Sequence, residues 1–319
     1  MADYDIFNGD ADGICALLQL RLAEPRDSKL ITGVKRDIDL LKQVSAKAGD
    51  RVTVLDVSMD KNHSALITTL ETGANVVYFD HHFPGEIPSS NNLEYHIDTD
   101  AEVCTGLLVN KYLNGAHLHW AVTAAYGDNL HKAAAAAAIP LKLAKDELSQ
   151  LEELGTLLNY NGYGATIDDL FFAPDDLFKK LLPYENPFDF IASDETFKAL
   201  KRGFEEDMAN AKSIEPSLET NACALYLFPE QSWSRRVGGV YGNELAREHP
   251  DRAHALLSDI GNDQYQVSVR APINRRDGAD ELCRQFDTGG GRKAAAGINK
   301  LPLTELERFK SAFEARFSV

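Results

Sequence analysis

Four short runs rich in β-branched and aromatic residues, YDIF (4–7), KLITG (29–33), VTVLDVS (52–58) and NVVYFD (75–80), punctuate the first 80 residues of this chain. Each reads as a buried strand. Between them, segments such as DIDLLKQVSAK and KNHSALITTLETG carry apolar residues near helical spacing and end at Gly. This alternation predicts a parallel sheet with helices on its faces. In open sheets of that kind, ligands bind beyond the carboxyl ends of the strands.

Those ends carry charge. NGDADG (8–13) follows the first run and holds Asp10 and Asp12; Asp56 closes VTVLD; Asp80, His81 and His82 close NVVYF. One aspartate at a strand-to-helix turn is accounted for as a helix cap. A second, two residues on, leaves a divalent cation as the other account. Asp128, in AAYGDNL after a helical stretch, joins the set. Strand tips lie about 4.8 Å apart, so such groups can share a small ion cluster. Asp10, Asp12, Asp56 and Asp128 would repel one another if crowded without counter-charge, and two divalent cations would cancel them. Imidazole mixed with oxygen ligands suits Mn2+, with Mg2+, Co2+ or iron as alternatives. Two ions about 3.5–4 Å apart would clamp both oxygens of an in-line displacement at phosphorus.

Further along, residues 101–160 read as mostly helical, and HKAAAAAAIPLKLA as a closely packed helix, since Ala is the best helix former. Residues 160–195 read as irregular. ETFKALKRGFEEDMANAKSI (195–214) reads as a charged amphipathic connector. Strand patterns return in ACALYLF (222–228) and YQVSVRAP (265–272), with a Gly-rich turn near 289–291. The expected organisation is a catalytic domain over 1–190, a helical connector over 191–217 and a smaller α/β domain over 218–319, with a cleft between the two domains.

The net charge of −16 argues against a grip on long duplex nucleic acid, which needs a broad basic face. A short anion held at a metal centre is compatible with it, because bound ions supply positive charge that a residue count misses. The four cysteines are far apart and form no C-x-x-C pair, which disfavours a disulfide framework or a structural zinc site. No signal-peptide pattern opens the chain, and no apolar run reaches the ~18 residues of a bilayer span. A cytoplasmic protein with no membrane partner is expected.

NGDADG, LDVS, DHH and YGDN, in this order and at these intervals, resemble the four motifs of the DHH phosphoesterase superfamily. GGGRKAAAG (289–297) is similar to the glycine-rich motif of the DHH-associated C-terminal domain. The superfamily includes single-strand exonucleases, nano-RNA and linear-dinucleotide phosphodiesterases, exopolyphosphatases and pyrophosphatases. The resemblance implies Asp10, Asp12, Asp56, His81 and Asp128 as metal ligands. It implies Asp80 as the acid supporting its neighbouring histidine, and His82 as the group facing the scissile phosphate. On the substrate side it implies Arg270 and the backbone of Gly289, Gly290 and Gly291, with Arg292 and Lys293 as added charge. Relatives imply a homodimer.

Two positions depart from the family pattern. Ile6 stands where many members place a metal-binding histidine, with Asn8 the nearby polar residue, and Arg292 replaces the usual histidine of the glycine motif. The expected function is a manganese-dependent phosphodiesterase acting on short nucleotides, linear dinucleotides such as pGpG or nano-RNA. The alternatives are another phosphohydrolase of the family, acting on cyclic dinucleotides, 3′-phosphoadenosine phosphate, polyphosphate or pyrophosphate, and a nucleotide sensor without turnover. A fourth reading takes DADG as an aspartyl-phosphate motif, which leaves DHH without a role.

Overall fold

The computed structural model describes residues 1–318 and divides into two compact units, one of residues 1–162 and 166–201, the other of Tyr163–Ala165 and the chain from Arg202 onward. The first unit opens with β1 (Asp3–Phe7), α1 (Ala11–Ala23), β2 (Lys29–Ile31), β3 (Arg51–Leu55), α2 (Met59–Glu71), β4 (Asn75–Asp80) and β5 (Leu93–Ile97). Its helical part follows: α3 (Thr105–Tyr112), α4 (Leu118–Gly127), α5 (His131–Ala138), α6 (Lys145–Asn161), α7 (Pro174–Leu181) and α8 (Pro187–Ser193). The division between units falls inside α9 (Glu195–Lys212).

The five strands of the first unit form one parallel sheet in the order β2-β1-β3-β4-β5. The order reverses at β1 and β3, the kind of place where open sheets bind ligands. Phe7 lies opposite Leu55, and Leu55 opposite Phe79. The next residue on each strand, Asn8, Asp56 and Asp80, therefore emerges beside the others. Ile6, Val54, Val76 and Tyr78 pack with Met59 and Leu66 of α2 in one apolar cluster. α1 is buried almost throughout and packs against α3 and α4. A bidentate ion pair ties it to the sheet: Arg21 Nε and Nη2 reach Asp5 at 2.7 and 2.6 Å, and both side chains are buried.

The second unit contains β6 (Leu218–Glu219), β7 (Cys223–Phe228), α10 (Ser232–Glu248), β8 (Ala253–Asp259), β9 (Gln264–Arg270), α11 (Ala279–Cys283), β10 (Gly289–Gly291), β11 (Ala295–Pro302) and α12 (Leu306–Phe317). Its six-stranded mixed sheet runs β10-β11-β9-β8-β7-β6. Leu257, Val267, Val269 and Ile298 pack with Leu282, Phe309 and Phe313 in one cluster. Ala224, Tyr226 and Leu256 pack with Val237, Tyr241 and Leu245 of α10 in another.

The sequence pattern misses in identifiable places. DIDLLKQVSAK holds only a 3-10 turn at Leu41–Gln43. Asn62 of α2 takes its backbone groups instead, accepting from Leu41 N–H at 3.2 Å and donating to the Ile38 carbonyl at 2.6 Å. Residues 160–195 are less irregular than expected, because Pro174 and Pro187 open α7 and α8 at positions where a missing N–H costs nothing. The Ala-rich helix α5 buries only Ala134 and Ala138. The Gly-rich turn is the short strand β10, paired with β11. All four cysteines are buried and free. Among the described residues no helix is long and apolar enough to cross a membrane.

Two stability tests follow from this packing. Arg21→Leu leaves Asp5 charged and buried and should cost about 3–5 kcal/mol in urea unfolding. His254 of β8 is fully buried, neither ring nitrogen has a partner among the described residues, and burial with the nearby His249 and Arg252 lowers its pKa to about 4. Its unfolded value near 6.5 is higher, so the unfolded chain binds the proton more readily. Stability is full above about pH 6.5 and falls as pH drops toward 4, by about 3 kcal/mol in all. His254→Leu should flatten that part of the stability–pH curve relative to wild type.

Candidate metal centre

Asp10 is both a cap and a member of the cluster. One of its oxygens, Oδ1, accepts from the N–H groups of Asp12 and Gly13 at 3.0 and 3.1 Å, capping α1. The other, Oδ2, is paired with the ammonium of Lys35. The turn closes only with glycine at 13, where a Cβ would lie 2.3 Å from the Asn8 carbonyl oxygen. Asp12, one residue into the helix, is held from across the unit. The N–H groups of Thr105 and Gly106 at the start of α3 donate to its two oxygens at 2.8 and 2.7 Å. A helix N-terminus suits a carboxylate for just this reason. Asp56 leaves β3 with φ +57°, a left-handed conformation uncommon outside glycine.

The two histidines are oriented by different partners. His81 Nδ1 lies 2.9 Å from the Val103 carbonyl, which only accepts, so the proton sits on Nδ1. Its Nε2 then faces Asp56 Oδ1 at 3.4 Å, Asp128 Oδ2 at 3.9 Å and Asp12 Oδ2 at 4.0 Å. Asp80 holds the other ring: its Oδ1 meets His82 Nδ1 at 2.7 Å and also accepts from the N–H groups of His81 and His82. The motif resemblance implies that Asp80 supports its neighbouring histidine; the imidazole it touches is that of His82. Asp56, His81 and His82 each bring one ligand atom within 4.8 Å of the others.

The charges are out of balance. Burial, with the charges of Asp10, Asp12 and Asp128, pushes Asp56 well above the usual carboxylate range. Burial also raises Asp12, aided by Asp128 and Asp10 against the pull of His81. Burial would raise Asp10 too, but Lys35 beside it holds it below its ordinary value. Burial opposes charge on His82, yet the Asp80 hydrogen bond and the Asp56 charge lift its pKa. Asp80 Oδ2 and Asn8 Oδ1 are buried and, among the described residues, without a hydrogen-bond partner. A lone-pair nitrogen facing three carboxylate oxygens fits a divalent cation, which relieves that repulsion and takes mixed nitrogen and oxygen donors.

Lys35 and Asn159 were not legible as site residues. Lys35 Nζ lies 2.9 Å from Asn159 Oδ1 and 3.8 Å from Asp128 Oδ1, besides its pair with Asp10. A lysine in GVKRD carries no local signal that it points inward. Ile6 is fully buried in the apolar cluster with Val54 and Tyr78.

The residues expected on the substrate side all belong to the second unit. Arg270 ends β9 and commits its guanidinium to Asn243 Oδ1 at 2.6 Å, Ser268 Oγ at 3.0 Å and the Gly239 carbonyl at 3.2 Å. Gly289 and Gly291 are required by the chain itself, since Cβ atoms there would lie 1.8 and 2.5 Å from backbone atoms, whereas one at Gly290 would meet open space. Arg292 and Lys293 are exposed in the tight connection between β10 and β11.

No protein-family model matches this sequence, and no curated protein matches it significantly. Solved structures do. A manganese-bound exonuclease RecJ superposes with a TM-score of 0.65 at 18% identity, over 98% of this chain and 89% of that one. The chain shares the fold of that structure. RecJ from Thermus thermophilus in complex with Mn2+ carries the same fold, with a TM-score of 0.61 at 19% identity; 98% of this chain spans about half, 51%, of that one. PggH, a pGpG-specific phosphodiesterase from Vibrio cholerae, shares the fold with a TM-score of 0.57 at 14% identity, over 98% of this chain and 99% of PggH. At these identities the likeness is one of fold.

Asp56→Asn tests the electrostatics of the centre, because asparagine tolerates the left-handed backbone but removes the charge. The melting temperature in EDTA should rise, and the further gain on adding Mn2+ should shrink or vanish. A fall in EDTA would mean that Asp56 is stabilising in the absence of metal.

Proposed function

We propose that this protein is a divalent-metal-dependent phosphodiesterase that cleaves short linear nucleotides, dinucleotides such as pGpG or nano-RNA, to mononucleotides, with Mn2+ as the favoured ion. The observation that carries the reading is the His81 Nε2 aimed at Asp12, Asp56 and Asp128 with its proton committed to the opposite nitrogen. The preference for a short substrate draws on the mutual coverage with PggH and on the chain's net charge of −16, which disfavours long nucleic acid.

An ion held there supplies Lewis acidity and lowers the pKa of a coordinated water. Hydrolysis adds the oxygen of water to phosphorus and breaks the bond to the 3′ oxygen, which must gain a proton. His82 is the residue for that transfer. Asp80 fixes its Nδ1 and the ring is partly exposed, 40% by side chain, so Nε2 is the nitrogen left to meet a leaving oxygen. Lys35 places positive charge at the same rim, where a phosphate would approach. In the second unit, Arg292, Lys293 and the open backbone at Gly290 are the groups we assign to binding a substrate phosphate.

The test is incubation of the Mn2+-loaded protein with pGpG, a longer single-stranded RNA, a cyclic dinucleotide and pyrophosphate, with released products quantified. Release of GMP from pGpG, lost in His81→Ala, is expected. Replacing Arg292 and Lys293 together by Ala should raise KM several-fold with little change in kcat. Tight binding of pGpG with no release would overturn the enzymatic reading in favour of a sensor. Equal cleavage of long RNA would overturn the short-substrate assignment.

A further inference from the structure

The carboxylate cluster has two sides, and different groups serve them. On one, His81 Nε2 faces Asp56 Oδ1, Asp128 Oδ2 and Asp12 Oδ2. On the other, Asp10 Oδ2, Asp128 Oδ1 and Asn159 Oδ1 converge on the ammonium of Lys35. Asp128 spans both, giving one oxygen to each side. Asp10 is absent from the oxygens within ion-pair reach of His81, and its own two oxygens are committed to the α1 cap and to Lys35.

Lys35 is fixed there by its backbone as well as its charge. Its N–H donates to the Gly162 carbonyl at 2.8 Å, just past the end of α6, which carries Asn159. Its carbonyl accepts from Asn8 Nδ2 at 3.3 Å, at the tip of β1. The segment is thus tied to the same rim that presents the acids. An ammonium is a compact point charge with three donors. Three oxygens arranged around it are a cation site already filled, and a divalent ion brought among the same oxygens would be repelled by it.

We propose that Lys35 supplies, from the chain itself, one of the two cations that the carboxylate cluster calls for, so that the protein binds one divalent ion per chain, on the His81 side. This rests on the reading of the centre as a metal site. The arrangement has a functional consequence. The positive charge on the Asp10 side comes from the chain itself and does not depend on metal supply, while the charge on the His81 side depends on the free ion concentration.

Metal counting tests this without reference to turnover. EDTA-stripped protein is titrated with Mn2+ by calorimetry, and bound manganese is checked by elemental analysis after gel filtration. Wild type should bind one ion per chain and give the electron paramagnetic resonance spectrum of isolated Mn2+. Lys35→Ala, which vacates the site, should bind two and show the signature of a coupled pair. Lys35→Gln keeps a hydrogen-bonding side chain without the charge; should Lys35→Ala not fold, it carries the test, with weaker binding of a second ion expected. Two ions bound by wild type, or one by a folded Lys35→Ala, would overturn the proposal, and no binding by wild type would remove it together with the metal centre. Wild type binding two ions while cleaving pGpG would leave the phosphodiesterase reading standing. One ion bound with no cleavage would do the reverse.

Discussion

The in-register parallel pairing of β1, β3 and β4 is the constraint on which the centre depends. Because Phe7, Leu55 and Phe79 lie side by side, the residues that follow them must share one rim of the sheet. Backbone bonds carry the alignment past the strands' last residues: Asn8 N–H reaches the Leu55 carbonyl at 3.2 Å, and Asp56 N–H the Phe79 carbonyl at 3.0 Å. A slip of one residue would turn each tip to the opposite face of the sheet. Side chains gather acids at the rim, but the hydrogen-bond ladder sets where they point.

Burying that much negative charge is unfavourable, and the surrounding backbone offsets part of it. Asp10, Asp12 and Asp80 each accept at least two backbone N–H groups. Asp56 combines a left-handed backbone with a single long hydrogen bond from Thr105 Oγ1, at 3.4 Å, and burial with its neighbours' charges pushes it well above the usual carboxylate range. Strain and uncompensated charge in one residue mark where binding energy is to be recovered from a ligand. The strain is carried by a well-packed frame, in which α1 is buried almost all round and the Asp5–Arg21 pair anchors it to the sheet.

The two adjacent histidines divide the work by the partner each Nδ1 finds. A neutral carbonyl behind His81 leaves Nε2 as a lone pair directed inward, which suits a ligand. A carboxylate behind His82 favours the charged ring, which suits proton transfer and phosphate. In the second unit the arginines divide in the same way. Arg270 is absorbed by Asn243, Ser268 and a carbonyl, which fastens α10 to β9, while Arg292 stands exposed in the β10–β11 connection.

Much of this was legible from residue order. Alternating β-branched runs and helical segments predict the parallel sheet, and Asp10, Asp12, Asp56, His81, His82 and Asp128 announce themselves at the strand tips and at the end of a helix, because period and residue type are local properties. The edge strand β5 escaped because its LEYHI pattern is half exposed, and α7 and α8 escaped because their first prolines read as breakers. Lys35, Asn159 and the backbone groups at Val103, Thr105 and Gly106 could not be found that way. Lysine and asparagine are ordinary surface residues, and backbone carbonyls and N–H groups are the same at every position. Which of them faces a carboxylate is decided only when segments more than a hundred residues apart, such as those of Lys35 and Asn159, are packed against one another.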